Sequence, residues 1–385
     1  MIYKAGGGMR PNLRFQGFES DWRVNIFSDF VTNKTSKFSP QENKSAIDIE
    51  LDSIESNTGR LLNKYNSAEF SSQKNVFSSN QVLYSKLRPY LNKFYFPKFN
   101  GVCSSEIWVL NSKDKSILLN EFIYYFIQTS KFSNVANKSS GSKMPRADWE
   151  LVKNIRLNLP STKEQQKIGN FFSKLDQQIE LEEKKLELLE QQKRGYMQKI
   201  FSQEVRFKDE NGNDYPDWEE TTLKNTTNYI SSKKSSNQYN ESNNSKGYPV
   251  YDAIQEIGKD LQYDMEEPYI SILKDGAGAG RLNLRAGKSS VIGTMGYIQA
   301  NNVDIQFLYY RMKVLNFRKF IIGSTIPHLY YKDYSKEKIL IPTSNDEQKK
   351  IGHFILNIDK LIDNKTLKLD YLKQRKQGLL QRMFV

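Results

Sequence analysis

Few side chains of the types needed for catalysis or metal binding occur in this sequence. It has one cysteine, Cys103, and two histidines, His328 and His353. A disulfide framework or a Cys-based zinc site needs several cysteines, and a histidine metal cluster needs more than two histidines. Cys103 lies beside an apolar stretch and is expected to be a buried core residue. We therefore predict no catalytic residue, no metal site and no cofactor in this chain.

Two glycine-containing segments invite comparison with nucleotide-binding loops, and both depart from that pattern. Gly287-Lys288-Ser289 ends like a phosphate-binding loop, but Leu282 stands where the first glycine of that loop is required. The segment 276–280 (GAGAG) follows an apolar stretch, yet residues 281–285 indicate another strand and not a helix. We predict a tight hairpin, or a close approach to a phosphate backbone, at these glycines.

Basic and aromatic side chains are interleaved in several predicted loops. Arg and Lys in such loops can contact phosphates or pair with guanine edges, and aromatic rings can touch bases or stack on them. The candidate DNA-binding residues are Lys86, Arg88, Lys143, Arg146, Lys274, Arg281, Arg285, Lys288, His328, Tyr330 and Tyr331. The alternatives are solvated loop charges for the basic residues and packed loop aromatics for the others.

The net charge of +13 over 385 residues suggests an anionic partner. Residues 1–160 carry 22 Lys and Arg against 14 Asp and Glu, whereas residues 204–342 carry 18 of each kind. Any DNA-binding surface on the second stretch must therefore come from local clustering. The sequence has no run of 18 apolar residues and no apolar leader, so we expect a cytoplasmic protein without membrane spans.

An internal repeat provides the elements that would position these residues. Residues 163–201 align with residues 346–384 without a gap and are identical at 16 of 39 positions. Shorter matches precede them: Gly141-Ser142-x-x-Pro145 with Gly323-Ser324-x-x-Pro327, Pro160 with Pro342, and Arg14-Phe15 before Trp22 with Arg206-Phe207 before Trp218. The period is too long for a solenoid, so the chain is a duplicated module.

Each copy of the repeat ends in a predicted long helix. Steps of four and three residues mark a narrow apolar stripe with charged residues between its members. The predicted seam residues are Ile168, Phe172, Leu175, Ile179, Leu186 and Leu189 in the first copy and Ile351, Ile355, Ile358, Ile362, Leu369 and Leu372 in the second. Such a stripe must pack on another helix, and the other copy is the expected antiparallel partner, with Glu182 and Lys365 near one layer. The alternative is a surface helix packed on its own domain.

The stretches before the helices are predicted to be mixed α/β domains. Residues 81–84 and 106–110 indicate strands, and residues 117–130 and 305–320 indicate buried helices. The fold class is therefore α+β, with two globular α/β domains separated by two long helices that pair as an antiparallel coiled coil. We expect the domain bounds 1–160, 161–203, 204–342 and 343–385.

The repeated Gly-Ser-x-x-Pro, the following proline, the Glu-Gln-x-Lys-Ile-Gly sequence and the heptad helix resemble the specificity (S) subunit of type I restriction-modification systems. The resemblance covers essentially the whole chain after the first ten residues. It implies two target-recognition domains spaced by an antiparallel coiled coil, and no catalytic activity. It also implies two modification subunits that methylate adenine with S-adenosylmethionine, and restriction subunits that use ATP and Mg²⁺.

Two diverged DNA-reading domains held apart by a rigid helix pair should read two different half-sites with unread bases between them. One alternative is a coiled-coil adaptor without a DNA role, which the zero net charge of residues 204–342 favours. A nuclease or methyltransferase with a degenerate motif is the other alternative.

Overall fold

A computed structural model describes residues 2–3, 10–41, 45–138, 143–239 and 246–384. Gly141 and Ser142 of the first Gly-Ser-x-x-Pro motif lie outside the described residues. The chain folds into two units, one formed by Met1–Glu183 with Lys368–Val385 and the other by Lys184–Leu367. Each unit thus combines one globular domain with part of each long helix.

The first unit contains one globular domain built on two sheets. Its strands are β1 (Ile2–Tyr3), β2 (Arg14–Phe15), β3 (Arg23–Ile26), β4 (Val31–Thr32), β5 (Lys37–Phe38), β6 (Ile47–Ile49), β7 (Tyr65–Asn66), β8 (Lys74–Phe77), β9 (Val82–Ser85), β10 (Phe94–Tyr95), β11 (Gly101–Ser104), β12 (Ile107–Ser112) and β13 (Arg156–Leu159). Its helices are α1 (Phe27–Phe30), α2 (Asn120–Phe126), α3 (Ser130–Ala136), α4 (Trp149–Val152) and the start of α5 (Thr162–Phe201). The sheet orders are β10-β9-β12-β4 and β5-β8-β11-β6-β7, and β3 pairs with β13.

The second unit has the same plan with different loops. Its strands are β14 (Trp218–Thr222), β15 (Thr227–Ser231), β16 (Tyr248–Tyr251), β17 (Glu256–Asp260), β18 (Tyr269–Leu273), β19 (Leu282–Arg285), β20 (Ser290–Val291), β21 (Met295–Ala300), β22 (Ile321–Ile322), β23 (His328–Leu329) and β24 (Lys338–Pro342). Its helices are α6 (Leu223–Thr226), α7 (Ile305–Lys313), α8 (Tyr331–Tyr334) and the start of α9 (Asn345–Met383). The sheet β19-β18-β21-β15 repeats the order of β10-β9-β12-β4, and β14 pairs with β24 as β3 pairs with β13.

The long helices pair in opposite directions within each unit. In the first unit the start of α5 packs on the end of α9, because Ile168 and Phe172 share one core with Leu380 and Phe384. In the second unit the end of α5 packs on the start of α9, where Ile200 joins a core with Ile351 and Ile355. An antiparallel pairing of the two long helices is therefore present in both units.

The predicted seam residues differ in how far they are buried. Eight of them are buried: Ile168, Phe172, Leu175, Ile351, Ile355, Ile358, Leu369 and Leu372. Four are half-buried: Ile179, Leu186, Leu189 and Ile362. Leu369 and Leu372 are buried although their repeat equivalents, Leu186 and Leu189, are half-buried, so the seam is covered unequally in the two units. Glu182 is 5% exposed and accepts a hydrogen bond from Lys368 Nζ at 2.9 Å.

Both predicted buried helices are shorter than the sequence pattern suggested. The first begins at Asn120 and not at 117, because Leu119 is extended and its N–H bonds the Gln165 side chain. It ends at Phe126, and α3 begins separately at Ser130. The second ends at Lys313, after which the Asn316 side chain caps a 3₁₀ turn at Phe317–Phe320. The predicted hairpin at the GAGAG segment is confirmed by the antiparallel pairing of β18 with β19.

Candidate DNA interface

The repeated residues at the start of each long helix fasten a globular domain to that helix. Glu164 receives two hydrogen bonds from the Arg14 guanidinium, at 2.7 and 2.8 Å, and both side chains are almost completely buried. Glu347 receives the equivalent contact from Arg206 at 3.0 Å. The repeated Arg-Phe and Glu-Gln motifs thus form the same kind of bidentate ion pair in both units.

The glutamine that follows each of these glutamates fixes the start of a buried helix of the same domain, α2 or α7. Gln165 Oε1 accepts from the backbone N–H of Leu119 at 2.9 Å, immediately before α2. Gln348 Oε1 accepts from the N–H of Asp304 at 2.7 Å, immediately before α7. Each amide Nε2 also donates to the carbonyl of the repeated proline, Pro160 or Pro342. These contacts satisfy backbone groups that would otherwise be buried without partners.

The glycine of the same motif allows a helix to approach closely. A Cβ added at Gly352 would lie 2.8 Å from the backbone nitrogen of Phe307, and one at Gly169 would lie 3.2 Å from Glu121 Cβ. The motif Glu-Gln-x-Lys-Ile-Gly is therefore a structural joint. It sets where each domain, with its loops, stands on its helix.

Two loop segments in each domain form a basic tip with the same backbone hydrogen bonds. In the first basic tip (residues 86–88 and 145–147), the N–H of Arg88 donates to Pro145 O at 2.8 Å and the N–H of Ala147 donates to Lys86 O at 2.7 Å. In the second basic tip (residues 274–276 and 327–329), Gly276 and Leu329 donate to Pro327 and Lys274, both at 2.8 Å. The proline of the repeated Gly-Ser-x-x-Pro motif therefore holds the end of a central strand.

These hydrogen bonds make the candidate residues of the two tips equivalent. Lys86 corresponds to Lys274, Arg88 to Gly276 and Arg146 to His328. Arg88 and Gly276 both have a left-handed backbone, with φ of 51° and 94°. Glycine adopts this conformation freely, whereas an arginine there is held by its surroundings.

Each tip also carries an acidic residue beside its cations. Arg146 Nε and Nη2 donate to the two Glu106 oxygens at 3.0 and 3.4 Å, and Lys86 Nζ lies 4.0 Å from Glu106. The hydrogen bonds that Arg146 donates to Glu106 raise the pKa of Arg146 above its ordinary value. In the second tip His328 Nδ1 lies 2.8 Å from Asp275 Oδ1, and Lys274 Nζ lies 3.7 Å from Asp275. All these side chains remain at least one-fifth exposed.

The remaining candidates fall into two groups. Lys143 and Arg281 are exposed, Arg281 being at the same end of the β18–β19 hairpin as Lys274. Arg285 and Lys288 lie at or beyond the opposite end of that hairpin, about 13 Å away along the strand. The structure therefore separates Arg285 and Lys288 from Lys274 and Arg281, although all four lie within 15 residues of sequence.

Several candidates have contacts within the domain. The Arg285 guanidinium lies 4.1 Å from the centre of the Tyr251 ring and donates to Asp252 O, and burial lowers its pKa. Tyr331 stacks on Tyr229, with ring centres 4.6 Å apart, and its hydroxyl is hydrogen-bonded to Thr227. Tyr330 is 45% exposed and lies beside the His328 ring.

Groups suited to catalysis are not assembled in the part of the chain that the structure describes. Cys103 is fully buried, and burial raises the pKa of its thiol far above the ordinary value. Among the described residues no group of three or more His, Cys, Asp or Glu side chains is placed to hold a metal ion. None of the helices within the described ranges has the length and apolar character needed to cross a membrane.

The duplicated domains, their basic tips and the antiparallel helix pair define a class of DNA-specificity protein. The chain belongs to the family described as type I restriction modification DNA specificity domain, which matches residues 19–191 and again residues 215–374. Its members are specificity subunits, which recognise DNA and are not themselves the catalytic subunits.

Curated relatives and solved structures agree with this assignment. The chain is 25% identical over 317 residues to the type I restriction enzyme MjaVIII specificity subunit of Methanocaldococcus jannaschii, covering 73% of this chain and 72% of that protein. It is 29% identical over 161 residues to the EcoDI specificity subunit of Escherichia coli, covering 41% of this chain and 35% of that protein. A crystal structure of a type I restriction-modification S subunit from M. genitalium shares its fold, with a TM-score of 0.65, 19% identity and coverage of 98% and 99%.

Sequence reasoning selected the cations of the basic tips but missed Glu106 and Asp275. The available signal was weak, since Asp275 directly follows a candidate lysine and Glu106 stands at the start of a predicted strand. Only the folded pairing of segments about 40 to 60 residues apart brings these acids against Arg146 and His328.

Proposed function

We propose that this chain reads an asymmetric, two-part DNA target for a type I restriction-modification complex and recruits the catalytic subunits to it. The observation that carries the proposal is the pair of basic tips, which share a backbone frame but carry different side chains. A pair of identical domains would read a palindrome, whereas two domains that differ at the reading positions read two different half-sites.

The DNA contacts are assigned to the exposed cations of the tips. Lys86, Arg88, Lys274 and the neighbouring Arg281 are suited to phosphates, which fix a protein on the duplex without reading sequence. Arg146 and His328 are suited to base edges, because both are partly exposed and anchored by an acid. Arg285 and Tyr331, with their internal contacts, are proposed to support the domain and not to touch DNA.

Two modification subunits are the proposed partners, because a cleft with matching residues occurs in each unit. The cleft of the first unit has a volume of about 700 Å³ and that of the second about 1080 Å³. The lining positions that correspond through the repeat include Tyr124 with Tyr309, Asp176 with Asp359, Ile179 with Ile362, Glu180 with Asp363, and Lys376 with Lys193. Two equivalent surfaces suit two copies of one partner.

The same acid anchors both clefts. Asp176 accepts from Tyr125 Oη at 3.0 Å and pairs with Lys376 at 2.7 Å. Asp359 accepts from Tyr310 Oη at 2.7 Å and pairs with Lys193. Burial raises the pKa of both tyrosines, so they stay protonated and donate to the aspartates. The walls of both clefts are therefore preformed.

Substitutions at the equivalent exposed lining positions test this recruitment. Glu180→Lys and Asp363→Lys should each reduce the number of bound modification subunits from two to one, as measured by native mass spectrometry of the assembled complex. Glu187→Lys, on the exposed face of α5 and outside the lining of either cleft, is the matched control. Two bound subunits in all three variants would contradict the cleft assignment.

The proposed division of labour places the cofactors elsewhere. S-adenosylmethionine would be bound by the modification subunits, and ATP and Mg²⁺ by the restriction subunits. This chain would recognise the DNA sequence at which those subunits act.

Adenine methylation of the whole genome, compared with and without this gene, tests the proposal. Deletion should abolish methylation at one asymmetric motif with two defined parts. An unchanged methylation pattern, with the modification subunit expressed and assembled with this chain, would favour a coiled-coil adaptor without DNA specificity.

A further inference from the structure

The acid in each basic tip comes from a different position of the shared frame. Glu106 stands at the start of β12, and its carbonyl accepts from the N–H of Lys86 at 3.0 Å. The equivalent bond in the second domain runs from Lys274 to the carbonyl of Thr294, also at 3.0 Å. Thr294 thus replaces the glutamate, and the acid is Asp275, where the first domain has Leu87. In both domains a carboxylate therefore contacts the equivalent candidate side chain, Arg146 or His328, but the carboxylate stands at a different sequence position in each.

We infer that Glu106 and Asp275 are positioning residues that select which donor or acceptor atoms Arg146 and His328 present to a base. This inference rests on the proposed DNA-reading function and adds the chemistry of two base positions. The carboxylates themselves do not touch DNA. They act by occupying one side of the Arg146 guanidinium and one side of the His328 ring.

The contact with Glu106 leaves Arg146 suited to guanine. Its Nε and one Nη2 hydrogen face the carboxylate, so the edge formed by Nη1 and the second Nη2 hydrogen is directed away from it. Two parallel N–H groups match the O6 and N7 acceptors of guanine in the major groove. Arg146 is 52% exposed, which leaves that edge accessible.

The contact with Asp275 gives His328 the opposite polarity. An ionised carboxylate only accepts hydrogen bonds, so Nδ1–H donates to Asp275, and Nε2 is an acceptor when the ring carries no second proton. In the major groove the donors to such an acceptor are the amino groups of adenine and cytosine. The two tips therefore present opposite groups from equivalent positions, a pair of donors on Arg146 and an acceptor on His328.

The test expresses the chain with its modification subunits in a host without other adenine methylation. The DNA motif at which adenine becomes methylated is then determined by sequencing. The unaltered chain must first give one two-part motif, and its absence would reject the proposed function and not this inference. Arg146→Ala and His328→Ala then identify one base position each. We expect a G·C pair at the first. Every base pair carries an adenine or cytosine amino group in the major groove, so the second position is identified by its relaxation and not by its base.

Replacing either acid by its neutral amide should weaken the base preference at the position that its partner side chain reads. Glu106→Gln should lower the preference for guanine at the Arg146 position about tenfold and leave the other half-site unchanged. Asp275→Asn should do the same at the His328 position. Glu106→Asp should restore most of the preference, and Glu106→Gln combined with Arg146→Ala should relax it no further than Arg146→Ala alone. Asp21→Asn, which breaks the exposed pair with Arg10, is the control and should change neither half-site.

Several outcomes would overturn the inference. One is an unchanged base preference in Glu106→Gln and Asp275→Asn. Another is a uniform loss of methylation at every site without relaxation at one position, which is the result of a purely structural role. A third is an A·T pair at the Arg146 position, because only guanine offers two parallel acceptors to the free Arg146 edge.

Discussion

The two basic tips share a backbone and differ in nearly every side chain that faces solvent. Lys86 and Lys274 are retained, but Arg88 is replaced by Gly276 and Arg146 by His328. The joints at the starts of α5 and α9, by contrast, keep the same Arg–Glu pair, glutamine and glycine. The duplication has thus preserved the contacts that place a domain on its helix and has varied the groups that face a ligand.

The two joints are chemically the same but differ in burial. Arg14 is 2% exposed in its pair with Glu164, whereas Arg206 is 22% exposed in its pair with Glu347. Water can reach the second guanidinium and not the first. The same motif should therefore contribute unequally to the stability of the two units.

Replacing the second domain by a copy of the first gives the largest expected change. A chain in which residues 204–342 are replaced by the corresponding residues of the first domain should read the same half-site twice, so the whole second half-site changes. Because the joints are equivalent, the graft should assemble with the modification subunits. Sequencing of methylated adenines would show a symmetric two-part motif, and a change in the retained half-site would contradict independent reading.

Shortening both long helices tests whether they set the gap between half-sites. Deleting residues 181–187 and 365–371 removes one heptad from each helix and keeps the phase of the seam. The loss of about 10 Å should shorten the unread gap by about three base pairs or abolish recognition. Full activity with an unchanged gap would reject the helices as a spacer.

Substituting each buried glutamate should lower the free energy of unfolding by different amounts in the two joints. Glu164→Ala leaves Arg14 charged and buried, and should lower the free energy of unfolding by about 3–5 kcal/mol. Glu347→Ala leaves a guanidinium that water can reach, so we expect a loss of about 2 kcal/mol. Urea unfolding followed by tryptophan fluorescence measures both. Glu220→Ala, which breaks an exposed pair with Lys338, should cost less than about 1 kcal/mol.

An equal loss in both joint variants would mean that burial of the arginine does not decide their contributions. A loss in Glu164→Ala no larger than in the Glu220→Ala control would remove the first joint as a stabilising contact.

The architecture was accessible from sequence because repetition and heptad spacing are local patterns. The gapless match of residues 163–201 with 346–384 located both long helices, and the glycines at 276–280 predicted the β18–β19 hairpin. The start of α2 was misplaced because Leu118 and Leu119 continue the apolar pattern while the backbone there is extended. Apolar spacing alone does not mark where a helix ends.

The site was less accessible, because it depends on pairing between distant segments. Arg281 and Arg285 are four residues apart, yet the hairpin places them towards opposite ends of β18. Arg146 and Glu106 are 40 residues apart and form a bidentate contact. Sequence spacing does not predict this proximity. It follows from the register of β9 with β12 and from the backbone hydrogen bonds between residues 145–147 and 86–88.

The smallest expected effect concerns the left-handed position that Arg88 and Gly276 share. Arg88→Gly relieves backbone strain but adds flexibility to the unfolded chain, so the free energy of unfolding should change by less than about 1 kcal/mol. Gly276→Arg introduces that strain, and a Cβ there meets no atom within 4 Å, so a loss of about 1 kcal/mol is expected.

Their effects on DNA binding should be opposite, because one variant removes a phosphate-binding cation and the other adds one. The magnitude of the negative slope of log K against log salt should decrease by about one for Arg88→Gly and increase by about one for Gly276→Arg. Fluorescence anisotropy of the assembled complex on a target duplex, from low to moderate salt, measures the slope. Because phosphate contacts carry no sequence information, the methylation motif should be unchanged in both variants. A base position that relaxes in Arg88→Gly would instead place Arg88 among the base-reading residues, and the two tips would then read with different numbers of side chains.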